Sequence, residues 1–379
     1  MGRIYNMDQV GIPCEIYRGG TSRGLFFLKD DLPYEFDRLQ KILPYIMGTP
    51  EAGQIDGLGN ATSHGSKVAL ISRSASPNAD IDYHFIQVDV NKPIIDDSGT
   101  CGNLIAAAGC FAIDKGLVKP QGRETTVRIR NTNNNSFIDI SLETDKNACL
   151  TQGEYKMPGI TKSGSPIKIM IKNPGGGILG GILPLGEITT YKNFQISLVD
   201  AVNPVVFLNA EEFNLSGVED IDTLNKKNIL GELEDIRSEM SCRAHLAENK
   251  EEATNKYPAI PKIALVGQPK DFKNSLGNLI KSDDYDISIR MVSMNRWHNT
   301  AAVSALYCLS AATRLKNTIP NKICKNSENP IVRIAHPEGI TEIEVNVKND
   351  SINYLGMIRT ARRIASGVVY VPKYLVDNK

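Results

Sequence analysis

Apolar and polar side chains alternate in many short runs along the 379-residue chain, and this period-two pattern predicts strands as the dominant element. Such runs lie near 68–72, 81–90, 125–131, 137–143, 166–172, 262–266, 287–292, 331–335, 341–347 and 368–372. His336-Pro337-Glu338-Gly339 has Pro preset at the second position of a turn, so the strands around it should form a hairpin. Helical periodicity is confined to 36–47, to the charged run 222–240, and to two apolar segments. The first, Cys101 to Lys115, is apolar on every face from 104 to 113 and is followed by Gly116, a natural C-terminal cap. A helix of that kind should be enclosed by protein all round. The second, Asn299 to Leu315, has the same small-residue character, and laying Asn103 over Asn299 makes the halves read as copies, each a set of strands around one helix. Coincidence of composition is the competing explanation. The Gly- and Pro-rich stretch from Gly175 to Gly186 is the expected boundary.

Length adds a prior of two domains at roughly 150 residues each. With 43 basic and 43 acidic side chains there is no global field to attract nucleic acid or an anionic membrane. No apolar run approaches the roughly 18 residues that a bilayer span requires. The first residues show neither a secretory apolar segment nor a myristoylation signal, so neither a membrane nor a nucleic-acid partner is expected. Seven cysteines with no CxxC pair read as reduced thiols, which points to the cytoplasm. Asn-x-Ser/Thr triplets, among them those at Asn60, Asn134 and Asn214, would matter only on a secretory route.

Candidate chemistry begins with two glycine clusters, Arg18 to Gly24 (RGGTSRG) and Gly57 to Lys67 (GLGNATSHGSK). Such loops expose N–H groups and hydroxyls, including those of Gly20, Thr21, Ser22, Thr62 and Ser66, that can cradle a carboxylate or phosphate; the plain alternative is that they are turns. The second is no Walker loop, because five residues separate Gly59 from Gly65 and Ser66 precedes Lys67. Gly175-x-Gly177-x-x-Gly180 matches a dinucleotide fingerprint, but Pro184 falls where the helix should run. Cys101 follows the capping residues Ser98-Gly99-Thr100, so it should sit in the first helical turn, where the dipole favours a thiolate. Gly102 allows close approach there, Asn103 can hold a ligand, and the helix start is an anion site. Cys110 and Cys308, by contrast, read as inert core. Lys67 follows a Gly-Ser loop and leads an apolar run, where desolvation would lower its pKa; most lysines are simply solvated charges. The five histidines have no metal-ligand spacing, and Asp80 and Asp82 alternate as a water-facing strand would.

The strings PCEIYRGGTSRGLFF (13–27), QIDGLGNATSHGSKVALIS (54–72), DIDYHFIQVDV (80–90) and DSGTCGNLIAAAGCFAIDKGLV (97–118) strongly resemble the 2-methylaconitate isomerase family, relatives of 3-methylitaconate isomerase and 4-oxalomesaconate tautomerase. NPVVFLNA (203–210), PKIALVG (261–267), IVRIAHPEG (331–339) and RTARRIASGVVYVP (359–372) extend the resemblance over nearly the whole chain. It implies an α+β (α/β) architecture of two similar diaminopimelate-epimerase-like domains, each a curved, mostly antiparallel sheet around a central helix, with the active site in the cleft between them. The domains would be 1–185, completed by 366–379, and 186–365. The implied catalytic pair is Lys67 and Cys101, with either as base.

Two-cysteine epimerases of this fold carry a second thiol in the other half; the overlay puts Trp297 there, with His298 beside it. The implied reaction moves a C=C bond by 1,3-allylic proton transfer in a small unsaturated di- or tricarboxylate of the methylaconitate, methylitaconate, oxalomesaconate or aconitate type. It needs no cofactor and no metal. Substrate contacts would come from Gly20, Thr21, Ser22, Thr62, Ser66, Gly102, Asn103, Arg290 and His298, with Arg18 a further carboxylate clamp. N–H groups near Gly102 and Gly20 would stabilise the enolate. Arg23 and His64 depart from the family pattern of Lys and of Thr or Ser. Competing readings are a racemase or epimerase on the same fold and a non-catalytic carboxylate-binding protein; assembly as a homo-oligomer is left open.

Overall fold

The computed structural model describes residues 4–5, 8–33, 35–97, 99–146, 148–157, 159–293, 295–349 and 351–376. Ser98, one of the three expected capping residues, lies outside them. The chain divides into two compact units, Met1–Ile169 with Ile358–Lys379, and Met170–Met357, so the stretch 175–186 belongs to the second.

Nine strands lead the chain through the first unit, β1 Ile4–Tyr5, β2 Gln9–Gly19, β3 Ser22–Leu28, β4 Lys67–Arg73, β5 Ile81–Val88, β6 Ile95–Asp96, β7 Glu124–Asn131, β8 Ser136–Asp145 and β9 Ala148–Cys149, and β10 Ile167–Lys172 crosses the boundary. Helix α1, Phe36–Met47, follows β3, and α2, Gly102–Asp114, follows β6. The second unit contains β11 Thr189–Tyr191, β12 Phe194–Ala201, β13 Asn203–Asn209, α3 Ile221–Lys226, α4 Leu230–Arg243, α5 Lys250–Asn255, β14 Lys262–Gly267, β15 Phe272–Lys273, β16 Leu279–Ile280, β17 Ile287–Ser293, β18 Arg296–Trp297, α6 Val303–Ala312, α7 Ile319–Ile323, β19 Ile331–His336, β20 Gly339–Lys348 and β21 Ser351–Arg359. Strand β22, Ala361–Pro372, then pairs antiparallel along β2 in the first unit, and α8, Lys373–Val376, ends the described chain.

Strand pairing repeats between the units. In the first, β2 runs antiparallel to β3, β3 parallel to β4, β4 antiparallel to β5, β5 antiparallel to β6 and parallel to β7, and β7 antiparallel to β8. In the second, β12 to β13, β13 to β14, β14 to β17, β17 to β18 and to β19, and β19 to β20 follow the same sequence of senses. The central helix lies at the same place in both orders. This is a mixed α+β fold with mostly antiparallel pairing, in two similar halves, as the sequence led us to expect. The hairpin at 336–339 also forms, with His336 opposite Gly339.

Alternation explains how each sheet buries two faces. On β4 and β5, Val68, Leu70, Ile86 and Val88 join the core against α1, with Leu39, Ile42, Leu43 and Ile46. The opposite face meets α2, whose residues from Leu104 to Ile113 are all buried. Tyr17 of β2 and Phe26 of β3 pack their rings on Phe111 of that helix. Gly116, with φ 69°, ends α2, its N–H donating to the Ile113 carbonyl at 2.9 Å.

Three expectations are corrected here. The second central helix begins at Val303 rather than Asn299, with Ala302 as its N-cap. Matching the helix starts therefore sets Ala302, not Trp297, against Cys101. Trp297 lies on β18 and packs into the core with Ile236 and Met240 of α4. The charged run 222–240 forms two helices, α3 and α4, rather than one. Not all cysteines are free, either. Cys110 of α2 is bonded to Cys149 of β9, their Cα atoms 5.1 Å apart, because β8 and β9 bring a residue 39 positions away onto the helix. Cys308 is buried as expected, its thiol donating to the Val199 carbonyl and pushed up in pKa by burial.

Candidate active site

Three glycines form the floor on which α2 begins. Gly20 and Thr21 make the two-residue turn between β2 and β3, where the first position needs the positive φ that Gly20 adopts, 53°. A methyl group on Gly19 would overlap the Asn103 carbonyl oxygen, and one on Gly20 would overlap its Oδ1. At Gly24 it would stand 2.8 Å from Leu104 Cδ1 and 2.9 Å from the Lys67 carbonyl oxygen. The missing side chains let the first turn of α2 settle onto β2 and β3 and bring it beside the start of β4. Asn103 fastens the contact, its Nδ2 donating to Thr21 Oγ1 at 3.0 Å and lying 3.5 Å from Ser22 Oγ. Three expected substrate contacts are thus engaged with one another. Gly20 cannot supply an anion-binding N–H as expected, because that group donates to the Thr360 carbonyl at 3.0 Å.

Cys101 is itself the N-cap of α2, a correction of one position, and no side chain caps the helix. Thr100, expected to cap, instead accepts from Asn131 Nδ2 at 2.7 Å. Asn133 fixes the same loop one step earlier: its Nδ2 donates to the carbonyls of Phe85 and Asp97, both at 2.8 Å, while its Oδ1 accepts from the Phe85 N–H. The Tyr83 hydroxyl lies 3.4 Å from the Cys101 carbonyl oxygen. Complete burial, and then the neighbouring Cys101, push its pKa well above the ordinary phenol range, so it stays a neutral donor. Cys101 is buried at the mouth of the helix, with Gly102 and Asn103 partly exposed beside it.

Lys67 opens β4 directly opposite Gln87 of β5. Its Nζ donates to Gln87 Oε1 at 2.6 Å and stands 5.2 Å from the centre of the Phe85 ring. Tyr83, Phe85 and Gln87 alternate on one face of β5, the face toward α2. The side chains that hold Lys67 and the one that reaches Cys101 are therefore neighbours, with Phe85 and Tyr83 about 7 Å apart along the strand. Lys67 and the mouth of α2 share a face of one sheet within one unit.

The remaining expected contacts fall into other roles. Thr62 is exposed and donates to Asn60 Oδ1 at 2.9 Å. Ser66 is buried, its hydroxyl accepting from Gln54 Nε2 at 3.0 Å, so it holds the loop together. Gln54 also accepts from the Ala61 N–H at 2.9 Å. His64 takes the Arg23 N–H on its carbonyl at 2.9 Å, and desolvation followed by the Lys67 charge holds its imidazole below the usual pKa. Arg18 points to the face away from α2 and donates to the carbonyls of Gly20 and Thr360.

Arg290 and His298 belong to the second unit. Arg290 is buried, donates to the carbonyls of Glu219 and Ile289, and is lowered by burial to a pKa of about 10. His298 Nδ1 accepts from the Thr300 N–H at 3.2 Å. Among the described residues, no three His, Cys, Asp or Glu side chains group as metal ligands, and no helix is long and apolar enough to cross a membrane. Gln87, Phe85, Tyr83, Asn131 and Asn133 were not singled out from the sequence. Only the Asn-rich run 131–135 carried a local signal, that of a turn closed by side-chain amides.

The chain is similar to known proteins over nearly its whole length. The chain matches the PrpF protein family over residues 9–372. It is 36% identical to the 3-methylitaconate isomerase of Eubacterium barkeri, an alignment covering 97% of this chain and 98% of the relative. It is 32% identical to the 2-methyl-aconitate isomerase of Shewanella oneidensis over 96% of this chain and 98% of that one. Identity to the 4-oxalomesaconate tautomerase of Pseudomonas putida is 30%, over 96% and 97%. A crystal structure of methylitaconate-delta-isomerase superposes with a TM-score of 0.88 at 35% identity, covering 98% of both chains. The chain therefore belongs to the PrpF protein family and is an isomerase.

Proposed function

We propose that this isomerase moves a C=C double bond by one carbon in a small unsaturated di- or tricarboxylate, by 1,3-allylic proton transfer and without a cofactor. The observation that carries the reading is the shared face of β5, which serves Lys67 Nζ through Phe85 and Gln87 and reaches Cys101 through Tyr83. The names of the relatives narrow the substrate to the methylitaconate, methyl-aconitate or oxalomesaconate type. We also propose a cytoplasmic setting for the reaction; the five free cysteines suit a reducing compartment, whereas the Cys110–Cys149 bond does not.

Lys67 and Cys101 are the acid/base groups. One takes the proton from the saturated allylic carbon, and that C–H electron pair becomes the new double bond as the old π pair moves toward the far carbon and the conjugated carboxylate. Proton return at the far carbon, from either group, completes the shift with no change in oxidation level. The first N–H groups of α2, at Gly102 and Asn103, lie at the positive end of the helix with no side-chain cap over them, and they suit the developing enolate charge. Asn103, tied to Thr21 and Ser22, fixes where those groups point.

The test is proton NMR of candidate acids with the full chain in deuterated buffer. Conversion with deuterium at two carbons of one allyl unit is the expected result. Exchange at a single stereocentre would assign a racemase instead, and unchanged spectra with measurable affinity would assign a binding protein.

A further inference from the structure

We propose that Gln87 is a positioning residue that aims the Lys67 amine, an inference that rests on Lys67 being an acid/base of the reaction. Its amide is anchored on the donor side: Nε2 lies 2.8 Å from the Ser66 carbonyl oxygen and 3.2 Å from those of Ser63 and Val88. Carbonyl oxygens only accept, so the NH₂ end must face them and Oε1 must face Lys67. That oxygen is 2.6 Å from Nζ.

Nζ has three directions besides its own carbon. Oε1 accepts only, so it holds an N–H of Lys67 whether the group is ammonium or amine. The negative face of the Phe85 ring, 5.2 Å from Nζ to its centre, likewise favours an N–H over a lone pair. Two directions are thereby closed to the lone pair. When Lys67 gives up a proton, the pair is left in the third. Gln87 achieves this as a neutral group, whereas a carboxylate at the same place would hold Lys67 as ammonium. Titratable groups around the pair are His64, on the loop before β4, whose imidazole is held below its usual pKa, Asp96, opposite Gln87 on β6, and Tyr83, on the face of β5 toward α2, with Cys101 beside it.

The experiment measures kcat and KM against pH for Gln87→Met, Gln87→Glu and Lys67→Ala, using whichever of the three acid types the wild-type chain turns over. Gln87→Met removes the acceptor at nearly constant volume; kcat should fall about 10- to 100-fold with KM within about twofold, the signature of a misaimed group. The limb of kcat governed by Lys67 should shift to higher pH in Gln87→Glu and to lower pH in Gln87→Met. A side chain that merely supports the fold would not move the limb in opposite directions. Wild-type kcat in Gln87→Met, or limbs that do not part, with Lys67→Ala inactive, would overturn the role of Gln87. Turnover by Lys67→Ala would overturn the reading of Lys67 itself. Should one Gln87 variant fail to fold, the other still gives its own limb shift.

Discussion

Asn131 donates from its side-chain amide to the Thr100 hydroxyl at 2.7 Å, one residue before Cys101. It is completely buried at the end of β7, and its Oδ1 accepts the Asn133 N–H at 3.1 Å. The loop that delivers Cys101 to the mouth of α2 is thus held by the β7–β8 turn rather than by its own sequence. Asn131→Ala leaves Thr100 and the Asn133 N–H without these partners. It should cost about 1–3 kcal/mol in thermal or denaturant unfolding and lower kcat more than it raises KM.

Lys67→Ala and Cys101→Ala should each lower turnover by about 10²- to 10⁴-fold, the ordinary contribution of one acid or base. Circular dichroism should show both folded, since Lys67 is only partly buried and Cys101→Ala removes a single sulfur at the mouth of α2. Near-wild-type rates for either variant would remove that residue from the mechanism.

Gly20→Ala tests the floor under α2. The new methyl group meets Asn103 Oδ1, and the backbone must keep φ at 53°, which is unfavourable for alanine. We expect a loss of about 1–3 kcal/mol and a fall in activity, because the helix start must shift. Gly177→Ala, with no atom within 4 Å of the added carbon, is the control and should leave activity unchanged.

Acid sensitivity has a source in the second unit. Hydrogen bonds from Lys192 and then Lys250 hold the Asp235 carboxyl down to about 2. The folded chain therefore binds fewer protons there than the unfolded chain. The stabilisation is complete above the ordinary aspartate value and is lost as pH falls through about 2. The side chain is about a third exposed, so Asp235→Asn should cost only about 0.5–1 kcal/mol at pH 7. Urea unfolding of wild type and variant should show that gap closing between pH 4 and pH 2.

Long periodic signals are legible in the sequence. Helix α1, read at 36–47, spans Phe36–Met47, and α2, read at Cys101 to Lys115, is one residue shorter at each end. Strands β2 and β3 were missed because β2 buries residues on both faces and shows no clean alternation, while glycines interrupt both. The start of α6 was misplaced by the Asn103–Asn299 overlay, which matched letters where the repeat lies in strand pairing.

The sequence by itself determined the two apolar helices and the glycine turns, because each is written in a few consecutive residues whose backbone needs or burial are local. Tertiary structure alone decided the rest. Which side chain faces Lys67 depends on the register that sets it opposite Gln87, and a shift of one residue would turn Gln87 to the other face. The spending of the Gly20 N–H on Thr360, the grip of Asn131 on Thr100 and the bond from Cys110 to Cys149 likewise join positions far apart in the chain. No local pattern records such pairings, since they come into being only when strands and helix settle against one another.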